Sequence, residues 1–182
     1  FVIIFKCFFP SSNFIYSLLP KANIRLSYSR TLARPLYRER ASTLYYDFFQ
    51  NATFYGGSLT DTKIDNYEAR WEQYFSNAQY YSVSGFYKKF TNPIEPKIVI
   101  HGSDSKTITW INIPSAECSG AEFEARKNLD FVSPVLSNLF LYANASLIKS
   151  TAFVKVNGSD TANRQMQGQS PYLVNASIHY AG

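Results

Sequence analysis

The feature that most constrains this chain is the strict alternation of apolar and polar residues in the segment Tyr172–Tyr180. The even positions of this segment carry Tyr, Val, Ala, Ile and Tyr, whereas the odd positions carry Leu, Asn, Ser and His. Successive side chains of a β-strand point to opposite faces, so a period of two predicts a strand with one apolar and one mostly polar face.

The same alternation recurs in six further segments, at residues 12–18, 22–31, 64–75, 79–90, 119–127 and 138–149. The pattern is imperfect in the last of these, where Phe140 and Tyr142 fall on the polar side. Each segment has about the length that a tilted strand needs to cross a bilayer. The sequence therefore predicts an all-β fold, an antiparallel meander of about seven strands.

The connections between these segments alternate in length. Residues 19–21 and 76–78 are short connections, residues 128–137 are intermediate, and residues 32–63, 91–113 and 150–167 are long. Barrels of the outer membrane have short periplasmic turns and longer extracellular loops. We therefore expect the short connections on the periplasmic side and the long ones on the extracellular side.

The short connections also predict the register of two hairpins. A one-residue slip would move every apolar side chain of a strand to the opposite face, so matching parity selects one alignment. The predicted pairs are Trp71 with Val83, Tyr67 with Tyr87, Arg70 with Ser84, Tyr16 with Ile24 and Phe14 with Leu26.

Strands with a period of two are compatible with a lipid-facing barrel and with a soluble β-sandwich. The composition of the chain helps to distinguish these two folds. The chain has 182 residues, of which 17% are aromatic and 17% charged, less charge than a typical soluble domain carries. Tyr is frequent at strand ends, as in an aromatic girdle. These features, with the loop alternation, favour a barrel. A porin and a soluble carbohydrate-binding β-sandwich remain the alternatives.

The polar faces of the predicted strands carry charges of both signs in rows. In a barrel these side chains would face the lumen, and the residues concerned are Glu68, Arg70, Glu72, Glu122, Glu124 and Arg126. Paired carboxylates such as Glu122 and Glu124 can perform acid–base chemistry, but ion pairing with neighbouring cations explains them more simply.

No catalytic, metal or cofactor site is expected. His101, in a predicted loop, and His179, on a predicted lumen face, lie far apart and have no nucleophile constellation. Cys7 and Cys118 lack the spacing of a metal site. The net charge of +5 comes from scattered Lys and Arg, which argues against nucleic-acid binding.

The long connection 32–63 is the candidate for ligand contact, because exposed loops commonly carry function. It combines aromatic and charged side chains, among them Arg34, Arg38, Glu39, Tyr45, Tyr46 and Asp47. The simpler alternative is that these side chains pack against neighbouring loops. At the start of the chain, residues 1–9 have the apolar character of a signal-peptide core, but a strand entering from upstream sequence is favoured.

Five short motifs resemble the barrel of TonB-dependent receptors. Residues 23–31, followed by Arg34-Pro35 and Arg38-Glu39, are similar to a strand rising into an extracellular loop, and residues 65–72 and 82–90 to the next two strands. Residues 120–127 resemble the family's GxExExRK strand, and residues 167–172 its QGQSPY motif. The matches extend over roughly residues 10–181, in the family's order.

The resemblance implies that residues 1–182 are a later-middle part of a barrel of about 22 strands, without a recognisable plug domain or terminal strands. We therefore expect an open sheet. The implied function is import of a scarce small-molecule nutrient, such as an iron chelate, a vitamin or a glycan, across the bacterial outer membrane. The implied partners are outer-membrane lipid and, in the full-length protein, the plug and TonB.

Overall fold

Two β-sheets make up the computed structural model, which describes residues 8–76, 79–101, 105–156 and 160–181. One sheet, called the barrel sheet below, contains β1 (Ser11–Leu19), β2 (Ala22–Ala33), β5 (Thr62–Ser76), β6 (Gln79–Thr91), β9 (Ser115–Asn128), β10 (Leu139–Val156), β11 (Asp160–Arg164) and β12 (Tyr172–Tyr180). The other, the loop sheet, contains β3 (Tyr45–Asp47), β4 (Ala52–Tyr55), β7 (Ile94–His101) and β8 (Ser105–Asn112). A four-residue helix, α1 (Tyr37–Arg40), precedes β3.

The barrel sheet is an open antiparallel meander in the order β1-β2-β5-β6-β9-β10-β11, with β12 also paired to β10. The strand β10 has 18 residues and pairs with β12 over residues 139–147 and with β11 over residues 152–156. Because β11 and β12 lie on the same side of β10, they are two parts of one interrupted strand. The sheet therefore has seven strand positions, which confirms the predicted meander.

The register of the barrel sheet follows the parity of the sequence. The pairs Trp71–Val83, Tyr67–Tyr87 and Arg70–Ser84 form between β5 and β6 as predicted. The pairs between β1 and β2 are also as predicted, Tyr16 with Ile24 and Phe14 with Leu26. Aromatic contacts reinforce this alignment, because the ring centroids of Tyr67 and Tyr87 are 6.2 Å apart and such cross-strand pairs stabilise sheets.

In the barrel sheet the apolar face is exposed and the polar face is covered. A water-soluble sandwich shows the opposite arrangement. On the apolar face, Val83 and Phe123 are each 46% exposed. On the polar face, Ser82 is 1% and Glu72 5% exposed. A sandwich buries its apolar face, whereas a membrane barrel turns that face outward to lipid. The exposure pattern therefore favours the barrel.

The loop sheet corrects the prediction that residues 32–63 and 91–113 are only connecting loops. Its strand order is β3-β4-β8-β7, and β4 pairs with β8 in parallel across the two connections. Residues 98–100 and 107–109 are rich in β-branched side chains, which favour strands. His101, predicted in a loop, is instead the last residue of β7.

The remaining connections match the prediction in part. Only residues 20 and 21 separate β1 from β2, and β5 and β6 are separated by residues 77 and 78, which lie outside the described residues. Residues 128–137 hold the end of β9 and two 3-10 turns. The strands β9 and β10 extend beyond their predicted ends on the long-loop side, so residues 150–167 are not all loop. The strand expected at the start of the chain also falls mostly on residues outside the described ones.

Candidate ligand pocket and charged network

A cavity of about 660 Å³ lies against the loop sheet, where three connections of the barrel sheet meet. Residues 32–63 contribute one wall, residues 91–113 a second, and residues 164–167 a third. Among the lining side chains are charged and aromatic groups that could contact a ligand: Arg38, Tyr45, Asp47, Lys106, Trp110 and Arg164. We call this cavity the loop pocket.

Aromatic packing between β3, β4 and β8 forms the apolar wall of the loop pocket. The alternation of β8 places Lys106, Ile108 and Trp110 on one face of that strand. The parallel pairing of β4 with β8 sets Phe54 beside Ile108. The Phe54 ring lies 5.7 Å from Trp110 and stacks on Tyr45 at 5.0 Å, measured between centroids.

The short helix α1 places Arg38 on this wall, with its guanidinium carbon 5.9 Å from the Trp110 ring centroid. The end of β4 fixes the helix, because the Gly56 amide donates to the Ala41 carbonyl at 3.0 Å. A Cβ at position 56 would lie 2.3 Å from the same carbonyl oxygen, so the close approach requires glycine.

The polar groups at the rim of the loop pocket differ in whether they have hydrogen-bond partners within the protein. The Asp47 carboxylate accepts hydrogen bonds from the backbone amides of Phe49, at 2.8 Å, and Gln50, at 3.2 Å, and so closes the turn after β3. The Tyr45 hydroxyl is buried and has no hydrogen-bond partner among the described residues. A buried hydroxyl without a partner is unfavourable, so a ligand atom at this position would be stabilised.

An ion pair joins the loop sheet to the barrel sheet at the edge of the pocket. Arg164, the last residue of β11, donates to the Glu95 carboxylate of β7 at 2.7 Å. The Glu95 side chain is only 5% exposed, whereas that of Arg164 is 40% exposed. Arg38 and Lys106 form no ion pair within the described part of the chain, so the pocket wall has an excess of positive charge.

The structure brings together only part of the predicted ligand loop. Arg38, Tyr45 and Asp47 line the pocket, whereas Arg34, Glu39 and Tyr46 do not. Glu39 instead accepts from the Leu36 amide at 2.8 Å, and the Tyr46 hydroxyl donates to Asn51. Sequence reasoning missed Lys106, Trp110 and Arg164, although the period-two pattern of residues 105–112 indicates a strand.

The polar face of the barrel sheet carries a charged network centred on Arg70. This guanidinium contacts the Glu124 carboxylate at 2.7 Å and the Glu72 carboxylate at 3.0 Å, and Arg25 approaches Glu72 at 3.5 Å. The hydroxyls of Tyr80 and Tyr142 also donate to Glu124, at 2.6 and 3.0 Å respectively. Three of the six predicted lumen charges are thus linked.

The other three predicted lumen charges lie outside this network. No ion pair involves Glu68, Glu122 or Arg126 within the described ranges. The Arg126 guanidinium lies over the Phe140 ring, 5.2 Å from its centroid. The two aromatics that break the apolar pattern of β10 are therefore explained, because Tyr142 hydrogen-bonds Glu124 and Phe140 packs under a cation.

No group of three or more His, Cys, Asp or Glu side chains with metal-binding geometry occurs in the described part of the chain. Among the helices described, none is long and apolar enough to cross a membrane.

Solved structures share the fold at low sequence identity. The ferric enterobactin receptor PfeA of Pseudomonas aeruginosa, in complex with enterobactin, aligns with a TM-score of 0.60 and 16% identity over 94% of this chain and 25% of its own. The siderophore receptor PirA of the same organism gives 0.62 and 15% over 95% and 36%. PirA of Acinetobacter baumannii gives 0.61 and 13% over 95% and 26%. The chain thus spans about a quarter to a third of these receptors.

The family assignment comes from sequence. A comparison with curated proteins found no match. The family model of the TonB-dependent receptor-like β-barrel, however, matches residues 6–182, almost the whole chain. This match, rather than the open sheet, decides against the sandwich and porin alternatives. The chain belongs to the TonB-dependent receptor-like β-barrel family.

Proposed function

We propose that this chain forms part of the wall of an outer-membrane receptor that imports a small-molecule nutrient, and that the loop pocket contacts this nutrient before transport. The observation that carries the proposal is the convergence of three separate connections on one cavity of about 660 Å³. These connections lie at the end of the barrel sheet that the family arrangement turns to the cell exterior.

The chemistry of the loop pocket favours an anionic iron chelate with aromatic groups over a neutral vitamin or glycan. Arg38 and Lys106 offer positive charge without an ion-pair partner among the described residues, and the partly exposed Tyr45 offers an aromatic ring. The unpartnered Tyr45 hydroxyl adds a hydrogen-bond group. The structural neighbours are siderophore receptors, one of them solved with enterobactin, which supports the same ligand class.

The charged network supports a lumen-facing role for the polar face. Glu72, Ser82 and Ser84 are nearly inaccessible there, although the sheet is open. Side chains crowded on one face indicate that the sheet curves toward that face, as the wall of a barrel does. In the full-length receptor this surface would face the plug, and TonB would act on parts of the protein outside these residues.

The proposal is tested by ligand titration of the full-length receptor that contains this segment. Ferric enterobactin, cobalamin and a maltodextrin are titrated separately, and tryptophan fluorescence reports binding. We expect the iron chelate to bind most tightly. The double variant Arg38→Ala/Lys106→Ala should weaken that binding by about 100-fold or more, since hydrogen bonds to charged groups contribute about 1.5–3 kcal/mol each and two of them are lost.

The matched control is Arg34→Ala, which removes a predicted loop cation that lies outside the pocket. We expect this variant to bind like the parent protein. Equal loss in the control, or no loss in the double variant, would show that the loop pocket is not the ligand site. Tighter binding of cobalamin or maltodextrin would replace the proposed ligand class.

A further inference from the structure

A second cavity lies on the opposite, apolar face of the barrel sheet. Its volume is about 550 Å³, and its walls include Phe75, Tyr81, Phe123, Ala125 and Lys127. The cavity arises from side-chain size, because the small Ala125 stands opposite Tyr81 in the register and leaves space between its larger neighbours. The Phe75 and Tyr81 rings, 5.1 Å apart, close one side of this hollow.

The hollow lies at the boundary between an apolar band and a polar belt. On β9, the residues of this face run from Phe123 through Ala125 to Lys127. On the neighbouring β6, the residues of this face likewise change from the aromatic Tyr81 to the polar Gln79. The short connections after β1 and β5 lie at this end, which is the periplasmic end in the family arrangement. In that arrangement Lys127 would lie at the headgroup level of the periplasmic leaflet.

Two cations at this boundary lack acidic partners. The Lys127 ammonium donates to the Gln79 side-chain oxygen at 2.8 Å, and the Lys21 ammonium donates to the Phe75 carbonyl at 2.8 Å. Both acceptors are neutral, and neither lysine joins an ion pair within the described ranges. At the opposite end of the face the charges are mixed, since Lys89 stands beside Glu117, and Arg30 pairs with Asp65.

From this geometry we propose that the hollow binds one glycerophospholipid of the periplasmic leaflet. An acyl chain would lie against Phe75, Tyr81 and Phe123, and the phosphate would contact Lys127. The charge complementarity selects an anionic phospholipid over a zwitterionic one. An apolar wall that ends at a cation without an acidic partner suits a molecule that joins an acyl chain to an anionic headgroup. This site is independent of the loop pocket, which lies elsewhere on the molecule.

The test uses the full-length receptor in vesicles, with dibrominated phosphatidylglycerol or dibrominated phosphatidylcholine as quencher. Trp71, whose ring lies 5.2 Å from Tyr81, reports lipid in the hollow. Its emission is obtained as the difference between the parent protein and its Trp71→Phe variant. We expect phosphatidylglycerol to quench it at lower mole fraction. Lys127→Gln should reduce this preference about fivefold, because a basic residue near an anionic membrane surface contributes about 1 kcal/mol.

Two matched variants complete the test. Lys127→Arg keeps the charge and should keep the preference for phosphatidylglycerol. Lys149→Gln removes an exposed cation from the other end of the same face and should leave the preference unchanged. An unaltered preference in Lys127→Gln, or an equal reduction in Lys149→Gln, would overturn the proposal, because lipid would then respond to overall charge rather than to this hollow. Loss of ferric enterobactin binding would not bear on it.

Discussion

The barrel sheet and the loop sheet use the same period-two pattern with opposite results. In the barrel sheet, Val83 and Phe123 are exposed and Ser82 is buried. In the loop sheet, Phe54 and Trp110 are buried, and Lys106 on the same strand face as Trp110 is exposed. Alternation therefore fixes which residues share a face, but it does not by itself determine which of those residues are exposed.

The two sheets also differ in what holds them together. The loop sheet depends on a small apolar cluster of Ala52, Phe54, Leu59 and Trp110, which is stabilised by removal of apolar surface from water. The barrel sheet has long antiparallel ladders and a hydrogen-bonded charged network on its covered face. Loss of one large side chain should therefore affect the two sheets very differently.

The largest effect is expected from Trp110→Ala. Truncation of a buried aromatic side chain costs about 3–5 kcal/mol, and this loss should open the loop sheet while the barrel sheet stays folded. Hydrogen exchange of the full-length receptor measures both sheets at once. Fast exchange confined to residues 45–55 and 94–112 is the expected result, whereas joint opening of β5 and β6 would mean that the two sheets form one cooperative unit.

The second-largest effect is expected from a charge placed on the apolar face of the barrel sheet. Ala143 lies midway along the apolar stretch of β10. An Ala143→Arg substitution should destabilise the intact barrel by about 2–4 kcal/mol if this position is at the bilayer midplane. Urea unfolding in vesicles gives the value. The control is Ser177→Arg on the polar face of β12, for which we expect a smaller loss; the reverse order would contradict the assignment of faces.

The smallest effects concern two arginines of the barrel sheet that form ion pairs. Arg70→Gln leaves the largely covered Glu72 and Glu124 carboxylates without their shared cation, and we expect a loss of about 1–3 kcal/mol. Arg30 pairs with Asp65 at 2.8 Å but its side chain is 40% exposed, so Arg30→Gln should cost less than Arg70→Gln. The same urea unfolding assay compares the two variants. Equal losses of unfolding free energy would mean that burial of the ion pair does not determine its contribution to stability.

The sequence is most informative where the structure is local. The register between β5 and β6 follows from a short connection and from parity, so Trp71–Val83 could be predicted from two neighbouring segments. The loop sheet could not be predicted in this way. Its central pairing joins Phe54 to Ile108 in parallel, and no short turn links the two strands.

The candidate site shows the same limit. The composition of residues 32–63 predicts a ligand-contact loop. This prediction groups residues that are close in sequence, such as Arg34 and Tyr46. The loop pocket instead gathers residues that are close in space, and Arg164 reaches it only through the pairing of β11 with β10. Likewise, Arg70 reaches Glu124 because β6 places the small Ser82 and Ser84 between them, which a single strand cannot reveal.

The interruption between β11 and β12 has a consequence for how receptors of this kind diversify. Residues 165–171 lie opposite only residues 148–151 of β10, so the chain there is longer than the ladder requires. Two hydrogen bonds hold this excess in place, from Met166 to the Ser150 hydroxyl and from Ile148 to the Pro171 carbonyl. Insertions and deletions within it would leave the alignment of both ladders, including the Ala152–Arg164 pair, unchanged while they move Gln167, which lines the loop pocket. In the proposed receptor, ligand preference would therefore change with the length of the chain at this break, without any change in the strands of the barrel sheet.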